Sequence, residues 1–259
     1  MAAQTQKYNK LAGKHVLIVG GTSESATPWQ KLASNPSHTL PSLPPSADRV
    51  KTSISSLQSS YPSTSTRISG YACDLSKPTL GQNIEQLFEK TGKVDHILFT
   101  AGDPLATIPL DEISFEKILK AGQVRFFAPL MVAKVGNRYL NPGPESSIVL
   151  TAGSVAEKPS PNWSIVASYA SGLYGMTRNL AMNLKPIRVN LVSPRAVDTE
   201  LWKWMSTEQK EAFFKQIAEK VVTGRVRRPE DVAEAYLWLM KDSNVTGFVA
   251  ATDSGSKLV

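Results

Sequence analysis

Short, nearly continuous apolar runs recur along the chain, separated by longer stretches in which apolar residues return at helical spacing. His15 to Val19, Arg67 to Cys73, Val94 to Ala101, Ser147 to Thr151, Arg188 to Val192 and Val245 to Thr252 each read as a strand. Between them, Leu80 to Lys90 sets Ile84, Leu87 and Phe88 on one helical face. Glu112 to Val135 repeats Ile118, Leu119, Val124, Phe127, Leu130 and Met131 as one long helix or two, and Ile165 to Leu184 reads as another. Asp231 to Met240 is a helix whose start is signalled by Pro229 and Glu230. Strands apolar on both faces that alternate with helices predict an α/β fold with a doubly wound parallel sheet, helices covering both faces.

One stretch breaks this pattern. Gly20-Gly21-Thr22-Ser23 begins a phosphate-binding turn, after which a dinucleotide-binding βαβ unit needs two more glycines, a helix and a second strand. Glu24-Ser25-Ala26-Thr27-Pro28 stands there instead, followed by Pro36, Pro41, Pro44 and Pro45, where proline is least tolerated. The nucleotide half is therefore expected to be disrupted over residues 24–46, within a single domain spanning 1–259. The spacing from Gly21 to Arg49 nevertheless suits a glycine loop, helix and strand. Read in a shifted frame, permissible codons for residues 24–33 restore two glycines and an apolar-periodic helix start, and the same shift near residues 40–46 restores a serine-rich strand end. A pair of compensating frame shifts explains the segment better than a novel loop, and an uninterrupted transcript frame over codons 22–47 would overturn that account.

Composition narrows the function classes. The chain has 259 residues, 41% of them hydrophobic, which is ordinary for a globular domain. The formal charge of +7 is dispersed, with Arg225, Arg227 and Arg228 the only tight cluster. A solvated surface is expected rather than a nucleic-acid partner. Cys73 is alone and the three histidines are scattered, so neither a disulfide framework nor a metal cluster is predicted. Without an apolar leader or an apolar run of about 18 residues, no membrane association is expected and a cytoplasmic location follows.

The order of motifs resembles the short-chain dehydrogenase/reductase family over nearly the whole chain, which implies a Rossmann-type fold. Val19 to Ser23 looks like the start of that family's glycine loop, Asp74-Leu75 like its adenine-contacting pair, and Phe99-Thr100-Ala101-Gly102 like its Asn-Asn-Ala-Gly element. Arg188 to Pro194 resembles the strand feeding the nicotinamide loop, where Val197 and Thr199 would hold the carboxamide. Arg225 to Ala233 and Asp253-Ser254-Gly255 resemble the C-terminal signature. The implied cofactor-binding residues are Gly21, Thr22, Ser23, Arg49, Asp74, Ala101, Gly102, Val197 and Thr199. With no acidic residue to meet a ribose 2′-hydroxyl and Arg49 in its place, the implied cofactor is NADP(H). The altered glycine loop should weaken its binding, since two or three lost charge-assisted hydrogen bonds cost on the order of 3–6 kcal/mol.

The family's chemistry rests on a tyrosine and a lysine one helical turn later, the ammonium lowering the phenol's pKa. Registering Leu173 to Arg178 on the family helix puts Val166 and Ala170 at those positions, Gln123 at the asparagine and Ser154 near the serine. Tyr169 is expected to pack within its helix, and Arg195 departs from the family glycine after Ser193-Pro194. A fungal branch that also lacks the tetrad is similar: enzymes of prenylated indole alkaloid pathways that reduce a cyclic iminium and guide a Diels–Alder reaction. Their arginine and tryptophan fall on Arg125 and Trp163, while Ser160 stands where they have an aspartate. The candidates for chemistry are thus Arg125, Trp163 and Ser154, acting on a small molecule that the variable stretches Asp103 to Ile108 and Trp202 to Lys220 would read. An iminium is already electrophilic, so its reduction requires no proton donor. A cyclase or isomerase, or a degenerate scaffold on the same fold, stays open. The resemblance also implies a homodimer or homotetramer through Asp111 to Lys134 and Ile165 to Leu184.

Overall fold

Seven parallel strands form one sheet in the computed structural model, which describes residues 9–20, 37–42, 47–60, 68–199, 202 and 205–259. The strands are β1 (His15–Val19), β2 (Ser37–Ser42), β3 (Ile68–Ala72), β4 (His96–Phe99), β5 (Ser147–Thr151), β6 (Arg188–Pro194) and β7 (Val249–Thr252). Their order across the sheet is β3-β2-β1-β4-β5-β6-β7. Strand order reverses between β1 and β4, which opens a crevice at their carboxyl ends. The helices are α1 (Ala47–Ser60), α2 (Leu80–Thr91), α3 (Phe115–Gly122), α4 (Ala128–Gly136), α5 (Ser164–Asn183), α6 (Thr207–Glu219) and α7 (Pro229–Lys241).

The side-chain alternation of each strand divides the core into two layers. Leu17, Val19, Ile97, Phe99, Ile148, Leu150 and Leu191 face α2, α4 and α5. Val16, Ile18, Leu98, Val149 and Val192 face α1 and α7. Arg188 ties the second layer down: its guanidinium donates to Leu239 O at 2.6 Å and Met240 O at 2.8 Å, capping the end of α7. The last strand is shorter than the apolar run suggested. Gly247 turns the chain at φ +68°, and the Asn190 amide bonds both Val245 O and Phe248 N.

One expectation needs correction, and a second, left open between one helix and two, is decided in favour of two. Within the stretch predicted to be irregular, Ser37–Ser42 forms β2 as its residues stand, pairing with β1 and β3. Pro41 is tolerated because it lies beyond the last β1–β2 pair, Leu17↔Thr39, and faces Tyr71 of β3 alone. The remainder of that stretch, 24–36 and 43–46, lies outside the described residues. The helix expected over residues 112–135 divides into a 3₁₀ turn (Leu110–Glu112), α3, a π turn (Gln123–Phe127) and α4. Ser114 caps α3 by accepting from Lys117 N at 3.3 Å. Pro129 has no N–H for the Arg125 carbonyl, and Ala128 N reaches Gln123 O instead, so the helix widens by one residue.

His96 is 1% exposed between β1 and β5 and shares a 2.9 Å hydrogen bond with Ser147 Oγ. Burial, with Arg188 and Lys14 nearby, pushes its pKa down to about 3, against an opposing pull from Asp95. The unfolded chain protonates below about pH 6.5 and the folded one does not, so stability is lost as pH falls through that window. The loss is about 1.4 kcal/mol per pH unit, near 2 kcal/mol at pH 5. Urea unfolding at pH 7 and pH 5 should show this slope, and a His96→Gln variant should flatten it.

Candidate active site

The crevice begins where two strand ends touch. Gly20 closes β1 at φ +102°, and a Cβ there would lie 2.4 Å from Ala101 N. Thr100, at an asparagine position of the family pattern, fastens the junction: its N–H donates to Val19 O at 2.8 Å and its Oγ1 at 3.2 Å. Ala101 and Gly102 therefore form a floor nearly bare of side chains at the carboxyl end of β4.

Arg125 lies over that floor. The π turn aims its guanidinium at Gly102, where a Cβ would stand 2.9 Å from Nη2. Arg125 Nε lies 2.9 Å from Asp103 Oδ1, and Nη2 donates to the Asp103 carbonyl. The side chains are 28% and 30% exposed. Nε and Oδ1 are buried, yet neither makes a well-directed hydrogen bond, so their contact is an ion pair. Burial pushes the Arg125 guanidinium down and the Asp103 carboxyl up from their ordinary values, each opposed by its partner.

The segment that starts at Asp103 runs to Trp163. Ile108 N donates to Asn162 O at 2.9 Å, and Asn162 turns the chain at φ 64°. Trp163 follows as the N-cap of α5, half-buried, its N–H meeting Ser160 O at 3.3 Å. Ser160 is exposed. Ser154 opens a 3₁₀ turn (Ser154–Ala156) after β5, half-buried, with its carbonyl accepting from Glu157 and Lys158. The Arg125, Gly102, Asp103 and Trp163 segments are thus linked into one wall.

The positions of the family relay hold other contacts. Val166 is half-buried and Ala170 buried on α5, and neither ionises. Tyr169 packs, but outside its own helix: it donates its hydroxyl to Ile118 O of α3 at 2.9 Å, and its ring meets Phe126 of the π turn at 5.0 Å, tilted by 35°. Gln123 donates to Leu75 O at 3.3 Å and Lys77 O at 3.2 Å, tying the π turn to the segment after β3. Asp74 in that segment accepts from the backbone and hydroxyl of Ser76 at 2.9 Å and 2.6 Å.

Val197 and Thr199 lie in the extended segment after β6. Val197 pairs with Arg227 in a parallel bridge. The Trp202 indole donates to Val197 O at 2.9 Å while its ring packs on Phe213 at 4.8 Å. Asp198 pairs with Lys210 at 2.5 Å, so α6 is fastened to this segment twice. Gly21, Thr22 and Ser23 lie outside the described residues. Arg49 stands in the first turn of α1, and its side chain is outside the described residues too. Sequence reasoning placed Asp103 and Trp202 in the two stretches that would read the substrate, 103–108 and 202–220, but gave neither residue a role of its own. Nothing in spacing marks Asp103, whereas Trp202 had a signal in the Phe213-Phe214 pair one helix away.

A family model described as an SDR-like Rossmann domain matches residues 7–259. The chain belongs to the short-chain dehydrogenase/reductase family. It is 37% identical to the short-chain dehydrogenase/reductase fsr5 of Gibberella fujikuroi, over all of both chains. It is 38% identical to malC of Malbranchea aurantiaca, again over all of both. The solved structure of the MalC reductase/Diels-Alderase superposes with a TM-score of 0.90 at 36% identity, covering 97% of this chain and 99% of that one. A small-chain dehydrogenase in complex with NADPH shares the fold, with a TM-score of 0.77 at 24% identity, covering 95% of this chain and 100% of that one. Among the described residues, no helix is long and apolar enough to cross a membrane.

Proposed function

We propose that the protein is an NADP(H)-dependent reductase of fungal secondary metabolism that delivers hydride to an activated C=N, an iminium, or to a C=O of a small molecule. The observation that carries this reading is the Arg125–Asp103 pair lying across Gly102 at the end of β4. It puts charge beside the crevice on a fold whose family is oxidoreductase, while Val166 and Ala170 leave the usual proton donor unfilled. An iminium substrate suits that combination, because no proton need be delivered. MalC, named a reductase/Diels-Alderase, supports the reductase part of this reading.

The described part of the crevice fits a dinucleotide. Gly20 brings the two strand ends into backbone contact at the switch point, and Gly102 makes room for the Arg125 guanidinium beside it. Val197 and Thr199 would hold the nicotinamide end, with Val197 steadied by Trp202, and Asp74 lies on the side of the adenine. When bound, NADPH supplies the hydride. The chain's own residues keep the substrate in line with it and exclude water, Trp163 by stacking on a planar cation and Arg125 by fixing the segment from residue 103 to 108. A second reading, a cyclase on the same pocket with little redox chemistry, is favoured by MalC's double name alone.

The protein is further proposed to act as a homodimer or homotetramer. Leu110, Phe115, Leu119 and Leu130 are exposed around α3 and α4, apolar surface that a second copy would cover. A cytoplasmic setting suits Cys73, a buried free thiol.

NADPH fluorescence titration, followed by absorbance at 340 nm with a cyclic iminium, tests the reductase reading. Saturable binding and iminium-dependent oxidation of NADPH are expected. Folded protein that neither binds nor oxidises NADPH would leave the cyclase reading in its place.

A further inference from the structure

We propose that Asp103 is the substrate-facing anion of this pocket, held in place by Arg125 and paired with the cationic nitrogen of an iminium substrate. The inference rests on the reductase reading for the kind of substrate and adds the residue that selects its charge. At the position after Asn-Asn-Ala-Gly-like Phe99 to Gly102, the chain carries a carboxylate within the crevice itself. Ser160, where the similar alkaloid enzymes have their aspartate, carries none and is exposed.

Three features of Asp103 support a ligand role over a purely structural one. Its side chain stays 30% exposed, so it is reachable from solvent. Oδ1 is buried, and its 2.9 Å contact with Arg125 Nε lacks the alignment of a hydrogen bond. The Arg225–Asp231 pair, by contrast, is forked, with two guanidinium nitrogens meeting the two carboxylate oxygens at 2.6 and 3.0 Å. Arg125 instead spends Nη2 on the Asp103 carbonyl and approaches the carboxylate through Nε. Finally, the segment that Asp103 begins is bonded through Ile108 to the turn before Trp163, which ties the carboxylate's segment to that of an aromatic residue. Such a combination selects a planar cation.

During reduction the hydride forms a C–H bond at the iminium carbon, and the C=N π pair becomes the lone pair of a neutral amine. The cation disappears, and the attraction to Asp103 weakens as product forms. Asp103 takes no proton in this step.

The test uses the whole protein without cofactor and two probes of matched shape: N-methyl-3,4-dihydroisoquinolinium and neutral 3-methyl-1,2-dihydronaphthalene. Calorimetric titration of the native protein should show the cation bound about tenfold more tightly than the neutral probe. Asp103→Asn leaves Arg125 unpaired and should reverse that preference, while Asp103→Asn with Arg125→Met should abolish it without reversal. The order native, double variant, single variant is an electrostatic signature that a packing role would not produce. Equal affinity for both probes in the native protein, or an unchanged preference in Asp103→Asn, overturns the proposal. The charge preference is read without NADPH, so a protein that shows it yet oxidises no NADPH would fail as a reductase while keeping Asp103 as its cation site.

Discussion

Replacing Gly20 with alanine is expected to lower the melting temperature by about 6–12 °C, the largest stability loss from any single methyl group near the crevice. The new Cβ would lie 2.4 Å from Ala101 N, 2.5 Å from Ala101 Cα and 2.8 Å from Thr100 C. All three are backbone atoms of the neighbouring central strand, so no rotamer change relieves the clash. The residue also sits at φ +102°, where an L side chain is strained before any contact is counted. Together these should cost at least about 3 kcal/mol, and a domain of this size loses roughly 2–4 °C per kcal/mol. Gly92, at φ +74° with nothing within 4 Å of its Cβ, is the control. Gly92→Ala should carry only the conformational strain, about 1 kcal/mol. Circular dichroism melts of the two variants separate clash from strain, and similar melts would refute the β1–β4 contact.

The central strands were legible because burial on both faces leaves a continuous apolar word: His96–Phe99 and Ser147–Thr151 are buried along nearly their whole length. β2 was illegible for the opposite reason. Ser37–Ser42 contains a proline and few apolar residues, and it is held by ladders on either side rather than by its own pattern. The break in the helix over residues 112–135 was written in Pro129, but periodicity alone cannot distinguish a π turn from one more turn of α-helix. That single widened turn is what directs Arg125 at Gly102.

The site was legible where a residue's position along a strand fixes its place. Ala101 and Gly102 follow β4, and Val197 follows β6, so strand order alone places them at the carboxyl ends of those strands. Asp103 belongs to a segment whose course is set by tertiary contacts, the Arg125 guanidinium at one end and Asn162 at the other. No local spacing reports a partner 22 residues away, which is why the carboxylate was sought at residue 160. Tyr169 shows the converse: a tyrosine near the right place whose hydroxyl is committed to Ile118 O.

Arg125→Met should reduce kcat/KM for an iminium substrate about 100-fold, with NADPH affinity little changed. The methionine fills much of the volume over Gly102 but removes both the ion pair to Asp103 and the bond to its carbonyl. The segment from residue 103 to 108 then loses its anchor at the crevice, and displacement of a substrate wall by about 1 Å is enough for a loss of that size. Stability should fall by about 1–3 kcal/mol, the cost of leaving a partly buried polar group unpaired. A pH profile distinguishes this from simple loss of packing. In the native protein, burial raises the Asp103 pKa and Arg125 lowers it. Without the guanidinium, burial is opposed only by the backbone hydrogen bond to the carboxyl, so the acidic limb of the profile should move to higher pH. Arg125→Lys restores the charge but not the two-point hold, and should keep the limb near its native position while recovering only part of the rate. A native rate in Arg125→Met, or an acidic limb that does not move, would remove the pair from the reaction.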